Sequence, residues 1–172
     1  MNKASLFFSG LALFISIIAL GFSYAANDIS MKALETDGPN IAIANQSGAI
    51  QQVGKYFFTF PLKNVGSRNA SDLKVNFSFV GVDNNVFYIL HQEQEQFNVL
   101  SPGVTRVANA DLEINLEPKY VSIQLQYSDA LISKIIVQTF YYQIDFSSKE
   151  HPISVLLDRN VKDIIDTALN KN

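Results

Sequence analysis

Apolar residues follow two rhythms along this chain, and the change falls at "DGP", residues 37–39. Upstream, no charged residue occurs from Ala4 to Ala26, a stretch long enough to cross the ~30 Å hydrocarbon core of a bilayer as one helix. Small residues mark one line along it: Ser5, Ser9, Ala12, Ser16, Ala19, Ser23, Ala26, Ser30 and Ala33, at alternating steps of four and three. A period of about 3.5 residues keeps a narrow edge on one side of a helix and suits left-handed supercoiling against a neighbour. Small side chains let helix backbones approach closely in a membrane, and serine hydroxyls bond across such contacts. The spacing predicts a transmembrane anchor and helical stalk over residues 1–36, ended by Gly38 and Pro39.

A second reading competes with it. "MNK" is a minimal positive region, and Ser23 and Ala25 are the small residues that a signal peptidase requires. On that reading residues 1–25 are a signal peptide and the chain is cut after Ala25. The stripe, however, runs on through "NDISMKA" without losing phase. A segment due for removal has no physical reason to stay in register with the residues beyond the cut, so continuity favours the retained anchor.

After Pro39 the apolar period becomes two. In "KYFFTFPLKN" the positions Tyr56, Phe58, Phe60 and Leu62 share one face, and Pro61, which has no N–H to donate, predicts an edge strand or a bulge. "LKVNFSFV" turns Leu73, Val75, Phe77 and Phe79 inward, and "YVSIQLQY" does the same with Val121, Ile123, Leu125 and Tyr127. "NIAIA", "VFYIL", "ADLEINL" and "KIIVQTFYYQID" supply further strands, with turn signals such as "NVGSRNAS", "DNN", "LSPG" and "SDALIS" between them. "HQEQEQ" reads as a polar loop. Seven or eight short strands so punctuated predict an antiparallel β-sandwich over residues 37–148.

Residues 149–172 close the chain with a short amphipathic helix. Leu157, Val161, Ile164, Ile165, Ala168 and Leu169 share one face, and Pro152 and Ser154 suit its start. That face packs on the sandwich or covers an exposed sheet edge, or it docks a partner protein, for which Leu157, Val161, Ile164, Ile165 and Leu169 are the candidate residues.

The run from Phe60 to Val75 that contains "LKNVGSRNASDLKV", together with "LSPG" at 100–103 and "QYSD" at 126–129, resembles bacterial immunoglobulin-like sandwiches of the CARDB kind, over roughly residues 40–146. The "ALFIS" and "ALGFS" words at 12–16 and 19–23 resemble anchors of bacterial membrane proteins that carry such domains. The resemblance implies a fold, mainly β with an N-terminal transmembrane helix, and a role as spacer, assembly module or binding surface; it implies no activity.

Composition narrows the function classes. Hydrophobic content is 48%, much of its excess over an ordinary soluble chain lying before residue 27, and net charge is −3 without any Lys/Arg run. A polyanion therefore finds no basic stripe, and nucleic-acid binding is not expected. The absence of cysteine removes disulfides, thiol catalysis and thiolate metal sites. His91, Glu93 and Glu95 would face one way on an extended segment and could hold a metal, but the expectation is a solvated loop; His151 is spacer. No nucleophile elbow, phosphate-binding loop, dinucleotide fingerprint or zinc-protease motif occurs. Asp129 and Asp145 receive no role, and the sequons at Asn45, Asn69 and Asn76 bear on function only in a glycosylating host.

The expectation is thus a non-enzymatic protein without catalytic residues, cofactor or metal. Its partners are the membrane and a protein, another copy included, and no small-molecule ligand is legible. Lys3 against Asp28, Lys32, Glu35 and Asp37 favours a single pass through a bacterial inner membrane with the domain in the periplasm. The alternative is a soluble periplasmic or secreted carrier, or a chaperone-like sandwich.

Overall fold

The computed structural model describes residues 20, 22–30, 32–33, 36–43, 47–52, 54–146, 153–155 and 158–170. Chain contacts divide it into two units, residues 1–38 and 39–172.

In the first unit, residues 22–30 are helical without a break, and residues 20, 32, 33 and 36 are also helical. Lys32 pairs with Asp28 one turn earlier at 2.7 Å, and the hydroxyls of Ser30 and Thr36 donate to the carbonyls of Ala26 and Lys32. Among the described residues no helix is long and apolar enough to cross a membrane. The predicted span runs mainly through residues 1–19, which lie outside the described residues, as do Ser5, Ser9, Ala12, Ser16 and Ala19 of the stripe.

The second unit is a β-sandwich with one helix on its outer face. Its strands are β1 (Ile41–Ile43), β2 (Gly48–Gln52), β3 (Lys55–Asn64), β4 (Ala70–Asp83), β5 (Val86–Leu100), β6 (Thr105–Glu113), β7 (Tyr120–Asp129), β8 (Lys134–Ile144) and β9 (Ile153–Val155). In the first sheet β3 is central, with β1 and β2 on one side and β6 on the other; the second has the order β5-β4-β7-β8-β9. Every pairing is antiparallel. Phe58, Phe60 and Leu62 of β3 face Val75, Phe77, Phe79, Val121, Ile123 and Leu125 across the sheets, all with no exposed surface. Ring pairs Phe58–Phe79 and Phe60–Phe77, with centroids 4.8 and 5.7 Å apart, tie the layers at the centre.

Three expectations need correction. Pro61 lies in a central strand, not at an edge or bulge: its partner on one side is Val107, while on the other β2 pairs only up to Thr59 and β1 only from Leu62. The missing N–H falls where the neighbouring strand is interrupted, so no ladder bond is lost. "HQEQEQ" is the middle of the 15-residue strand β5 rather than a loop. The C-terminal helix spans Arg159–Leu169, with the Asp158 carboxylate accepting from the N–H groups of Asn160 and Val161; Ser154 is in β9, opposite Gln143, rather than at its start. Asn84 and Asn85, both at positive φ, make the β4–β5 hairpin turn, as two-residue turns of this hand require.

Candidate functional site

The three segments that carry the sandwich resemblance meet at one end of the domain. Asn64 closes β3 with no exposed surface. Its Nδ2 donates to the carbonyls of Arg68 (2.7 Å) and Leu100 (2.8 Å). Its Oδ1 accepts from the N–H groups of Gly66 (3.0 Å) and Asn40 (3.3 Å). All four bonds that an amide side chain can make are therefore made, and they join the β3–β4 turn, the end of β5 and the start of β1. Gly103, at φ 72°, donates its N–H to the Asn64 carbonyl. Pro102-Gly103 thus works as a latch on the same residue.

Beside it the Arg68 guanidinium donates twice to Asp129 Oδ2, from Nε at 3.1 Å and Nη2 at 2.5 Å. The Asp129 side chain is 2% exposed. Arg68 holds its carboxyl below the usual carboxylate range, burial opposing and the Leu131 N–H assisting. Arg68, Asn69, Pro102, Asp129 and Leu131 border an open depression of about 500 Å³. The Asn64 bonds and the Arg68–Asp129 pair hold this corner of the fold together. Asp129 is a structural residue that sequence reading passed over.

His91, Glu93 and Glu95 do line up on one side of β5, and their register against β6 explains them. Glu93 Oε2 accepts from the backbone N–H of Asp111 at 3.0 Å, and Glu95 Oε2 from that of Asn109 at 2.8 Å. These donors lie on the edge of β6 that faces away from β3. The two carboxylates close the seam between the sheets and occupy an edge that would otherwise offer itself to another strand. His91 stacks against Phe79 with ring centroids 6.3 Å apart.

A different feature forms on the outer face of the second sheet, beneath the C-terminal helix. Val161, Ile165 and Leu169 pack there with Val80, Phe87, Tyr120 and Tyr141, and Ile165 is fully buried. Ile164 is 44% exposed, and Leu157 lies outside the described residues. Tyr141 donates its hydroxyl to Asp166 Oδ1 at 2.5 Å, and Lys162 sits 5.8 Å from the centre of the Tyr141 ring. Burial first, and the Asp166 carboxylate second, push the Tyr141 hydroxyl up; burial alone raises Tyr142, on the core side, to about 12.

Next to this contact lies a cavity of about 290 Å³. Its floor is set by register: Ser78 stands between Gln92 and Ser122, and Asn76 and Thr139 flank that row through Gln124. Gln92 Nε2 donates to Ser78 Oγ at 3.1 Å. Asp166, Leu169 and Asn170 form the wall. The hydroxyl-bearing Ser78 and Ser122 are buried, which is unusual on the outer side of a sheet and results from the overhanging helix. Strand alternation predicts these residues outward; only the position of the helix makes a cavity of them. Of the sequons, Asn76 lines this cavity, Asn69 borders the depression at the far corner, and Asn45 lies outside the described residues.

Of the stripe, Ser23, Ala26, Ser30 and Ala33 are described, and all four are helical and exposed.

No protein-family profile matches the chain, and no curated protein is significantly similar to it. Among solved structures it is similar to the trimeric lipoprotein SadB of Salmonella enterica, at 12% identity and a TM-score of 0.36, over 79% of this chain and 82% of that one. It is also similar to the sporulation control protein Spo0M of Bacillus subtilis, at 8% identity and a TM-score of 0.33, over 59% of this chain and 47% of that one.

Proposed function

We propose that the protein is a non-catalytic, membrane-anchored binding or assembly module. An immunoglobulin-like sandwich is held outside the cytoplasm by an uncleaved helix, and copies associate through the Ser/Ala stripe of that helix. One observation carries the reading: residues 22–30 form unbroken helix across Ala25 and Ala26. A peptidase must hold its substrate extended at the cut, so a continuous helix there disfavours cleavage. The stripe positions Ser23, Ala26 and Ser30 keep their phase along it, and Ala33 is helical as well. Ser30 turns its hydroxyl back to the Ala26 carbonyl, which keeps the edge narrow for a second helix.

The test is association of the anchor in a membrane two-hybrid assay. Replacing Ser16 and Ala19 together with Leu is expected to weaken association at least fivefold, because bulk at two successive stripe positions separates the backbones. The same change at two positions off the stripe, Phe14 and Ile18, to Leu is expected to have no effect. Equal association of all forms would remove the seam from the reading.

The alternative is a periplasmic carrier released after Ala25, and the cavity under the C-terminal helix supports it. It differs from the lead reading in the fate of the first 25 residues, not in the sandwich.

A further inference from the structure

We infer that the cavity beneath the C-terminal helix is a binding site for a neutral, hydroxyl-rich ligand, a mono- or disaccharide unit. The inference goes beyond the anchor and stands whether or not the anchor is retained.

The chemistry of the lining carries it. Five of the floor side chains are Asn76, Ser78, Gln92, Gln124 and Thr139, and each both donates and accepts hydrogen bonds. A sugar hydroxyl does the same, so any of its orientations finds a complement on such a floor. An anion does not fit: among the described residues no lysine or arginine lines the cavity, and Asp166 repels negative charge. A metal cation does not fit either, since Asp166 is the sole carboxylate among the described lining residues and its Oδ1 already accepts from Tyr141. An apolar ligand would cover the floor's remaining donors and acceptors without partnering them, at a cost of roughly 1–3 kcal/mol per group so buried. Leu169 supplies one apolar contact, of the kind that a sugar ring's C–H face needs.

The site is also preorganised. Gln92 is tied to Ser78, and Asp166 is held by Tyr141. The Asn170 N–H donates to the Asp166 carbonyl, ending the helix where the wall stands. A volume of about 290 Å³ is at the small end of ligand pockets, roughly 300–1,000 Å³, which suits one or two sugar rings rather than a chain.

The experiment is saturation-transfer NMR on the full chain in phospholipid nanodiscs, which avoid sugar-headed detergents. The probes are glucose, maltose and the disaccharide of N-acetylglucosamine, with glucuronate as the charged counterpart. At least one neutral sugar is expected to receive saturation at about 10 mM or below, and glucuronate none. Gln124→Leu and Asn76→Leu, on the cavity floor, are each expected to weaken that binding about tenfold, the loss of one or two well-placed hydrogen bonds. Gln96→Leu, on β5 of the same sheet and outside the cavity, is expected to leave it unchanged. Thermal midpoints of the three variants within a few degrees of the parent show that the fold is kept. No transfer to any neutral sugar, equal transfer to glucuronate, or equal loss in Gln96→Leu would each overturn the inference.

Discussion

Asn64→Ala is expected to destabilise the sandwich by about 3–5 kcal/mol, a large share of the ~5–15 kcal/mol that holds a typical domain. The amide satisfies two backbone N–H groups and two carbonyls at a position with no exposed surface. Alanine takes this partner from all four, although the Gly66 N–H retains its 3.3 Å bond to the Asn40 carbonyl. The Asn40 N–H and the Arg68 and Leu100 carbonyls share the cost, roughly 1–3 kcal/mol for a buried group left unsatisfied. Asn64→Asp should be no better than alanine, because a carboxylate cannot donate to the Arg68 and Leu100 carbonyls and places a charge against them. Urea unfolding is the measurement: the midpoint should fall while the slope stays constant. A loss below about 1 kcal/mol in both variants would mean that the corner is held by packing instead.

Arg68→Met has the second large expected effect, about 3–5 kcal/mol, because it leaves Asp129 charged, 2% exposed and without its cation. The double change Arg68→Met with Asp129→Leu should recover most of that loss, since removing both charges removes the desolvation penalty as well. Acid titration separates the cases by slope. In the parent, the Asp129 carboxyl titrates below its unfolded value of about 3.9. The unfolded chain then binds the proton first, so this stabilisation is complete above about pH 4 and is lost as pH falls through the folded value. In Arg68→Met, burial is opposed only by the Leu131 and Ile132 N–H groups, so the carboxyl rises from its place in the parent and that variant loses less stability on acidification. The double variant should show neither slope from this residue. A parent and single variant with the same acid slope would contradict the role given to the pair.

At the alkaline end the tyrosines set the opposite trend. Tyr127, Tyr141 and Tyr142 are all raised, chiefly by burial, Tyr142 to about 12. The neutral forms are the ones the fold holds. Their contribution is complete below about pH 10 and declines as pH rises toward the folded values.

The core was legible because alternation in a half-buried strand is a direct consequence of geometry. Leu73, Val75, Phe77 and Phe79, and Val121, Ile123, Leu125 and Tyr127, face inward as their spacing requires. β2 was not legible, since "GAIQQ" carries one large apolar residue and owes its place to pairing with β3. The central part of β5 was hidden by its polarity: the period of two was present in "HQEQEQ", but its inward face meets a strand edge rather than the core. Arg68 and Asp129 are 61 residues apart. Their pairing depends on which turns share one end of the sandwich, a fact of topology that local spacing does not contain. The cavity is further removed still, because it needs both the sheet register and the face on which the final helix lands. Pro61 shows the converse. Its missing donor is plain in the sequence, yet the interruption lies in the neighbouring strand and not in its own.

The intact mass of the protein recovered from carbonate-washed membranes of its native host decides between an anchored rod and a released domain. The expected result is a polypeptide that still carries the uncharged segment from Ala4 to Ala26 and stays with the lipid. A chain beginning at Ala26 and found in the soluble fraction would contradict it, and would leave the sandwich and its cavity as a free carrier.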